Sequence, residues 1–133
     1  MIIDRLHVGL AGYVERQHLE SPPDRIDGAV VLSFDGRYRI YCRPAPHGDL
    51  VLESKLADVP DKPGDAEDLI RTTLMASAVR MMTHSDVPVL SKNGLIILLH
   101  QRIPADATVD ELEGSLQNFV KSLAEWRRIF RIL

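Results

Sequence analysis

Five histidines, one cysteine and several close carboxylate pairs are the residues of this sequence that could do chemistry. Imidazoles hold metals or move protons near neutral pH, but as ligands they work in sets at short, regular spacing. His7, His18, His47, His84 and His100 are scattered over different stretches, and no two stand at ligand spacing. Each reads singly as a surface or strand-end residue. Cys42 falls on the apolar side of a hairpin strand and reads as core filler rather than a nucleophile. Asp24 with Asp27, Asp58 with Asp61, and Asp65 with Asp68 lie in loop-like stretches or at a helix start, where solvation and capping explain them. A glycine-rich phosphate loop, Gly-x-Ser-x-Gly and His-Glu-x-x-His are all missing. The expectation is no catalytic residue, no metal and no cofactor.

Two basic groups remain. Arg127, Arg128 and Arg131 sit near the end of a helical pattern, where cations are favoured by the helix dipole. Arg37, Arg39, Tyr41 and Arg43 come nearest to the basic and aromatic mix of a single-strand binder. The formal net charge of −3 gives no bulk attraction to nucleic acid or to an anionic membrane. Neither is expected as a partner.

The elements that carry these residues follow from periodicity. The 133 residues fit one domain, 1–133. A single cysteine allows no intrachain disulfide and suits a reducing cytosol. The first nineteen residues hold charges at Asp4, Arg5, Glu15 and Arg16, so they read as a cytosolic helix rather than a span or signal peptide. In that helix, residues 2–19, Ile3, Leu6, Leu10, Tyr13 and Val14 share a face. Gly9 and Gly12 weaken it and mark a place where something must come close.

Residues 29–34 and 38–43 form a hairpin around Asp35-Gly36. A three-residue loop sets Phe34 against Tyr38, Leu32 against Ile40 and Val30 against Cys42. It leaves one face wholly apolar, which a two-residue turn would not. Residues 50–57 form a third strand. Residues 66–83 form a second helix, capped by Asp65, with two apolar stripes on roughly opposite sides. One holds Ile70, Leu74, Ser77, Ala78 and Met81; the other holds Thr72, Met75, Ala76, Val79 and Met82. Residues 87–90 and 95–101 form a second hairpin. Thr108 and Glu111 make a capping box for a third helix. Its apolar positions run Val109, Leu112, Leu116, Phe119, Leu123, Trp126, Phe130 and Leu133, the pattern of one helix packed on a sheet. The order is α-β-β-β-α-β-β-α, an α+β domain with an antiparallel sheet.

Helix 2 and the run from Leu95 to Leu99 each carry one apolar face more than a small monomer readily covers. A homodimer covers them, with Thr72, Met75, Ala76, Val79, Met82, Ile96 and Leu98 at the interface. The other solution is that helices 1 and 3 cover both faces between them.

Four stretches, in this order, resemble the class I type III secretion chaperones, the Tir-chaperone family. They are "LVLESKLADVP" (residues 50–60), "DLIRTTLMAS" (68–77), "KNGLIILLHQRIP" (92–104) and "FVKSLAEWRRIF" (119–130). They are similar to the family's third strand, second helix, last strand and final helix. The resemblance implies a non-enzymatic bacterial cytoplasmic homodimer. It implies a partner too: the N-terminal, non-globular segment of a secreted effector, held secretion-competent and delivered to an export apparatus, with the secretion ATPase as a further partner. Leu6, Leu10, Tyr13 and Val14 of helix 1, with Val30, Leu32, Phe34 and Ile40 of the first hairpin, are then the expected effector-binding residues. A regulatory adaptor of the same fold, or a small α+β enzyme without a local motif, are the competing readings.

Overall fold

The computed structural model describes residues 7–17, 24–26 and 28–132. Its elements are α1 (Val8–Arg16), β1 (Asp24–Ile26), β2 (Ala29–Phe34), β3 (Tyr38–Pro44), β4 (Leu50–Asp58), α2 (Pro63–Arg80), β5 (Val87–Leu90), β6 (Ile96–Ile103) and α3 (Val109–Ile132). The fold is α+β. The strands pair antiparallel in one sheet, in the order β1-β2-β3-β4-β6-β5.

The β2–β3 register is Val30 with Cys42, Leu32 with Ile40 and Phe34 with Tyr38. This is the three-residue loop expected from the apolar pattern. Asp35 and Gly36 take φ of 54° and 65°, and Arg37 N–H closes the turn on Phe34 O at 3.0 Å. β1 corrects the expected order. The stretch of Asp24 and Asp27 reads as loop-like, yet Asp24–Ile26 pairs with β2. Three residues, two of them charged, are too few to show a strand period; only the neighbouring strand makes them one.

One sheet face takes the helices. Leu50, Leu52 and Leu56 of β4 and Ile97, Leu99 and Ile103 of β6 point there and are buried. α3 lies across them with Leu112, Leu116, Phe119, Leu123 and Trp126, each no more than 1 % exposed. Burying each such side chain is worth about 2 kcal/mol before entropy is counted. The capping box closes as expected: Thr108 N–H donates to Glu111 Oε1 at 2.9 Å, and Glu111 N–H donates to Thr108 Oγ1 at 3.1 Å.

α1 packs beside the first turns of α3. A Cβ at Gly9 would stand 2.8 Å from Ala107 O, and one at Gly12 would strike Val109 Cγ2. What comes close to the two glycines is therefore this chain's own α3 entry. His7 caps α1: its Nδ1 accepts from the amides of Gly9 at 3.1 Å and Leu10 at 3.3 Å. It is buried, not a surface histidine. The residues expected to extend α1, 2–6 and 18–19, lie outside the described residues.

α2 starts three residues earlier than its periodicity suggests. Its N-cap is Lys62, not Asp65, and Pro63 opens the first turn. Proline's fixed φ and missing N–H suit that position. Asp65 stays in the first turn as an acidic residue near the positive end of the dipole.

Candidate functional site

α2 rests on the domain along a narrow line. Leu69, Thr73, Ala76 and Arg80, at i, i+4, i+7 and i+11, turn inward, and only Thr73 is fully buried. Arg80 anchors the far end. It lies over the Trp126 ring at 5.4 Å and donates to Ser122 Oγ at 3.0 Å and Glu125 Oε1 at 3.2 Å. This seam runs between the two apolar stripes and takes only Ala76 from the second, so the large exposed side chains of both stripes face away from the core. On one flank Met75, Val79 and Met82 are 66, 79 and 87 % exposed; on the other, Leu74 and Met81 are 65 and 66 % exposed. Of the residues expected at a dimer interface, Thr72 is half-buried on the flank of Met75, and Ala76 is half-buried in the seam itself.

Ile96 and Leu98 are not on that flank. They alternate with Ile97 and Leu99 along β6 and so point to the sheet face opposite the helices, half-buried. Leu95 is exposed. Within a single chain the helices thus cover one face of the strand. β5 ends the sheet with one paired edge, and its Val87 and Leu90 are exposed. Periodicity could not reveal these two, because a four-residue strand becomes an edge only through the sheet's topology.

The helix-free face also carries an ion network. Glu53 Oε1 accepts from Arg43 Nε at 2.9 Å, and its Oε2 stands 2.8 Å from His100 Nε2. Arg39 and Arg43 lie over the Tyr41 ring at 5.8 and 5.5 Å. His100, read as a strand end, is a member of this network.

Five of the expected effector-binding residues are packed core. Leu10, Tyr13, Val30, Leu32 and Ile40 are all buried. Val14 and Phe34 pack against that core and keep part of their surface. Leu6 lies outside the described residues. Burial pushes the Cys42 thiol up to about 12, and burial with the charge of Glu113 raises Tyr13. A buried thiol of that kind is inert at neutral pH. Among the described residues no three His, Cys, Asp or Glu side chains gather as a metal site, and no helix is long and apolar enough to cross a membrane. The exposed groups offer contact surface, apolar on α2 and β5 and charged elsewhere.

The sequence profile of the Tir chaperone protein (CesT) family matches residues 10–127. No curated protein sequence matches the chain. Solved structures share its fold, among them the following three. A chain of the HopA1–SchA chaperone–effector complex is 15 % identical, with a TM-score of 0.69, covering 95 % of this chain and 93 % of that one. A chain of the ExsC–ExsE complex is 18 % identical, with a TM-score of 0.66, covering 95 % and 91 %. A chain of the Yersinia pestis type III secretion chaperone SycH with a fragment of YscM2 is 16 % identical, with a TM-score of 0.59, covering 91 % and 98 %.

Proposed function

This chain belongs to the Tir chaperone protein (CesT) family, and from that premise we propose that it is a type III secretion chaperone. It binds the N-terminal non-globular segment of an effector, keeps it fit for export and passes it to the apparatus, with the secretion ATPase as the receiving partner. It works in the bacterial cytoplasm, as a binding protein and not an enzyme. The observation that carries this reading is the family match across residues 10–127. The exposed apolar flanks of α2 agree with a protein whose work is contact.

The functional unit is a homodimer built on the α2 flank of Thr72, Met75 and Val79, with Ala76 at its inner margin and Met82 just past the helix end. Methionine side chains suit such a contact, because they adapt to a facing surface. The effector segment meets Val14 of α1 and Phe34 of β2, which keep exposed surface. Leu10, Tyr13, Val30, Leu32 and Ile40 hold these two in place from the core. Ordering an unfolded segment costs several kcal/mol, about 2–5 or more, so the receiving surface must be preformed. A packed layer beneath it meets that need.

Co-expression with the N-terminal segments of exported proteins tests the reading. The chain should purify with one of them and shield a stretch of roughly tens of residues from protease, the span over which coupled folding buries its area. Failure to retain any such segment, together with turnover of a small molecule, would return the chain to the enzyme reading.

A further inference from the structure

Arg37, Arg127, Arg128 and Arg131 line one cleft of about 490 Å³, with Tyr38 and Phe130 as its aromatic walls and Leu56 at its base. None of the four has a carboxylate partner among the described residues. Arg127 is held by neutral groups: it donates to Arg37 O at 3.3 Å and Lys55 O at 3.1 Å and lies 5.2 Å over the Tyr38 ring. The helix dipole accounts for cations at the end of α3. It does not account for Arg37, which arrives from the β2–β3 turn. Four uncompensated cations in one cleft are unusual in a chain of net charge −3.

The far side of Phe130 is opposite in sign. There a second cleft, about 570 Å³, is lined by Asp58, Asp65 and Asp68. A long polyanion laid through the basic cleft would run into these carboxylates. A short acidic stretch would not. We propose that the Arg37–Arg131 cleft docks a short acidic stretch of the bound protein segment: carboxylates beside one apolar side chain, giving way to neutral or basic residues past Phe130. The inference rests on the reading above in taking the occupant to be part of the bound segment. Continuity supports it, since Tyr38 of the cleft is the cross-strand partner of Phe34.

The test uses the full chain and three fluorescein-labelled probes in polarisation titrations. One is the peptide Asp-Glu-Phe-Asp-Glu-Gly-Ser-Lys-Gly-Lys. The second has every charge reversed. The third is an oligothymidylate of the same length. The acidic peptide should bind the parent, weaken as salt rises, and outbind both other probes. The double variant Arg128→Glu with Arg131→Glu should weaken it at least about tenfold. Both arginines are exposed, so circular dichroism should stay that of the parent. Equal binding by parent and double variant overturns the proposal, as does tighter binding of the oligonucleotide. If the parent ignores the acidic peptide yet shields an exported segment from protease, the cleft fails and the chaperone function stands. If the peptide binds in the cleft and no exported segment is retained, the function fails and the cleft stands.

Discussion

His7 Nε2 stands 2.6 Å from Pro104 O, across 97 residues of chain. The same ring caps α1 through Nδ1. One neutral imidazole, with its proton on Nε2, thus joins the start of α1 to the loop that leads into α3. It is a structural clasp, and it explains a histidine that chemistry by spacing could not place.

Removing the clasp should split into two parts. His7→Ala loses the cap and leaves the Pro104 carbonyl without its donor, so the urea midpoint should fall by the equivalent of about 1–3 kcal/mol. His7→Asn keeps a capping oxygen but is too short for Pro104, and should recover part of the loss. Equal stability of Ala and Asn variants would mean the cap contributes nothing.

The two kinds of helical glycine should respond in opposite directions. Gly12→Ala forces a methyl into Val109 and should cost about 1–3 kcal/mol. Gly114→Ala, in the second turn of α3, meets nothing within 4 Å and should stabilise by up to about 1 kcal/mol. Thermal melts of the two variants check both signs. A neutral Gly12→Ala would show that α1 is not seated as described.

For the proposed dimer, the two flanks of α2 separate the outcomes. Val79→Asp and Met75→Asp alter exposed side chains, so each variant should keep its helix content. Each should halve the mass seen by light scattering. Met81→Asp, on the opposite flank, should leave the mass at the parental value. A parent that is itself monomeric, or a mass change only with Met81→Asp, moves the interface elsewhere.

Acid stability should report a second clasp on the same loop, next to Pro104. Arg102 donates to Asp49 Oδ2 at 2.6 Å, and the Ala105 amide donates to Oδ1 at 2.9 Å. The Arg102 hydrogen bond, then the Ala105 one, hold the Asp49 carboxyl below the usual carboxylate range. A carboxyl lowered on folding stabilises the fold above its unfolded pKa of about 3.9, and that contribution is lost as pH falls through the folded value. Asp49→Asn should be less stable than the parent at neutral pH and lose less on acidification below about pH 4. Parallel curves of urea midpoint against pH for the two proteins would remove Asp49 from the acid response.

Several features of the fold could be read before any coordinates. The three-residue turn at Asp35, the Thr108–Glu111 capping box and the apolar line from Leu112 to Trp126 all follow from residues within a few positions of one another. The expected site was harder to read. Leu10, Tyr13, Val30, Leu32 and Ile40 carry the same apolar pattern whether they line a groove or fill a core. Burial alone separates the two, and burial belongs to the whole molecule.

The sequence by itself determined the class of fold, the register of its first hairpin and the two-sided apolar character of α2. These depend on turn chemistry and on periods of two and 3.6 residues, which act over short spans. The tertiary structure decided which line of α2 sits down, so that the seam of Leu69, Thr73, Ala76 and Arg80 passes between the stripes and leaves their large side chains, Leu74, Met75 and Val79, facing outward. It also made a strand of Asp24–Ile26, set α3 against Gly12, and brought Arg37 to Arg127 across 90 residues. Contacts at such separation cost loop-closure entropy that only the packed core repays, and no local pattern encodes them.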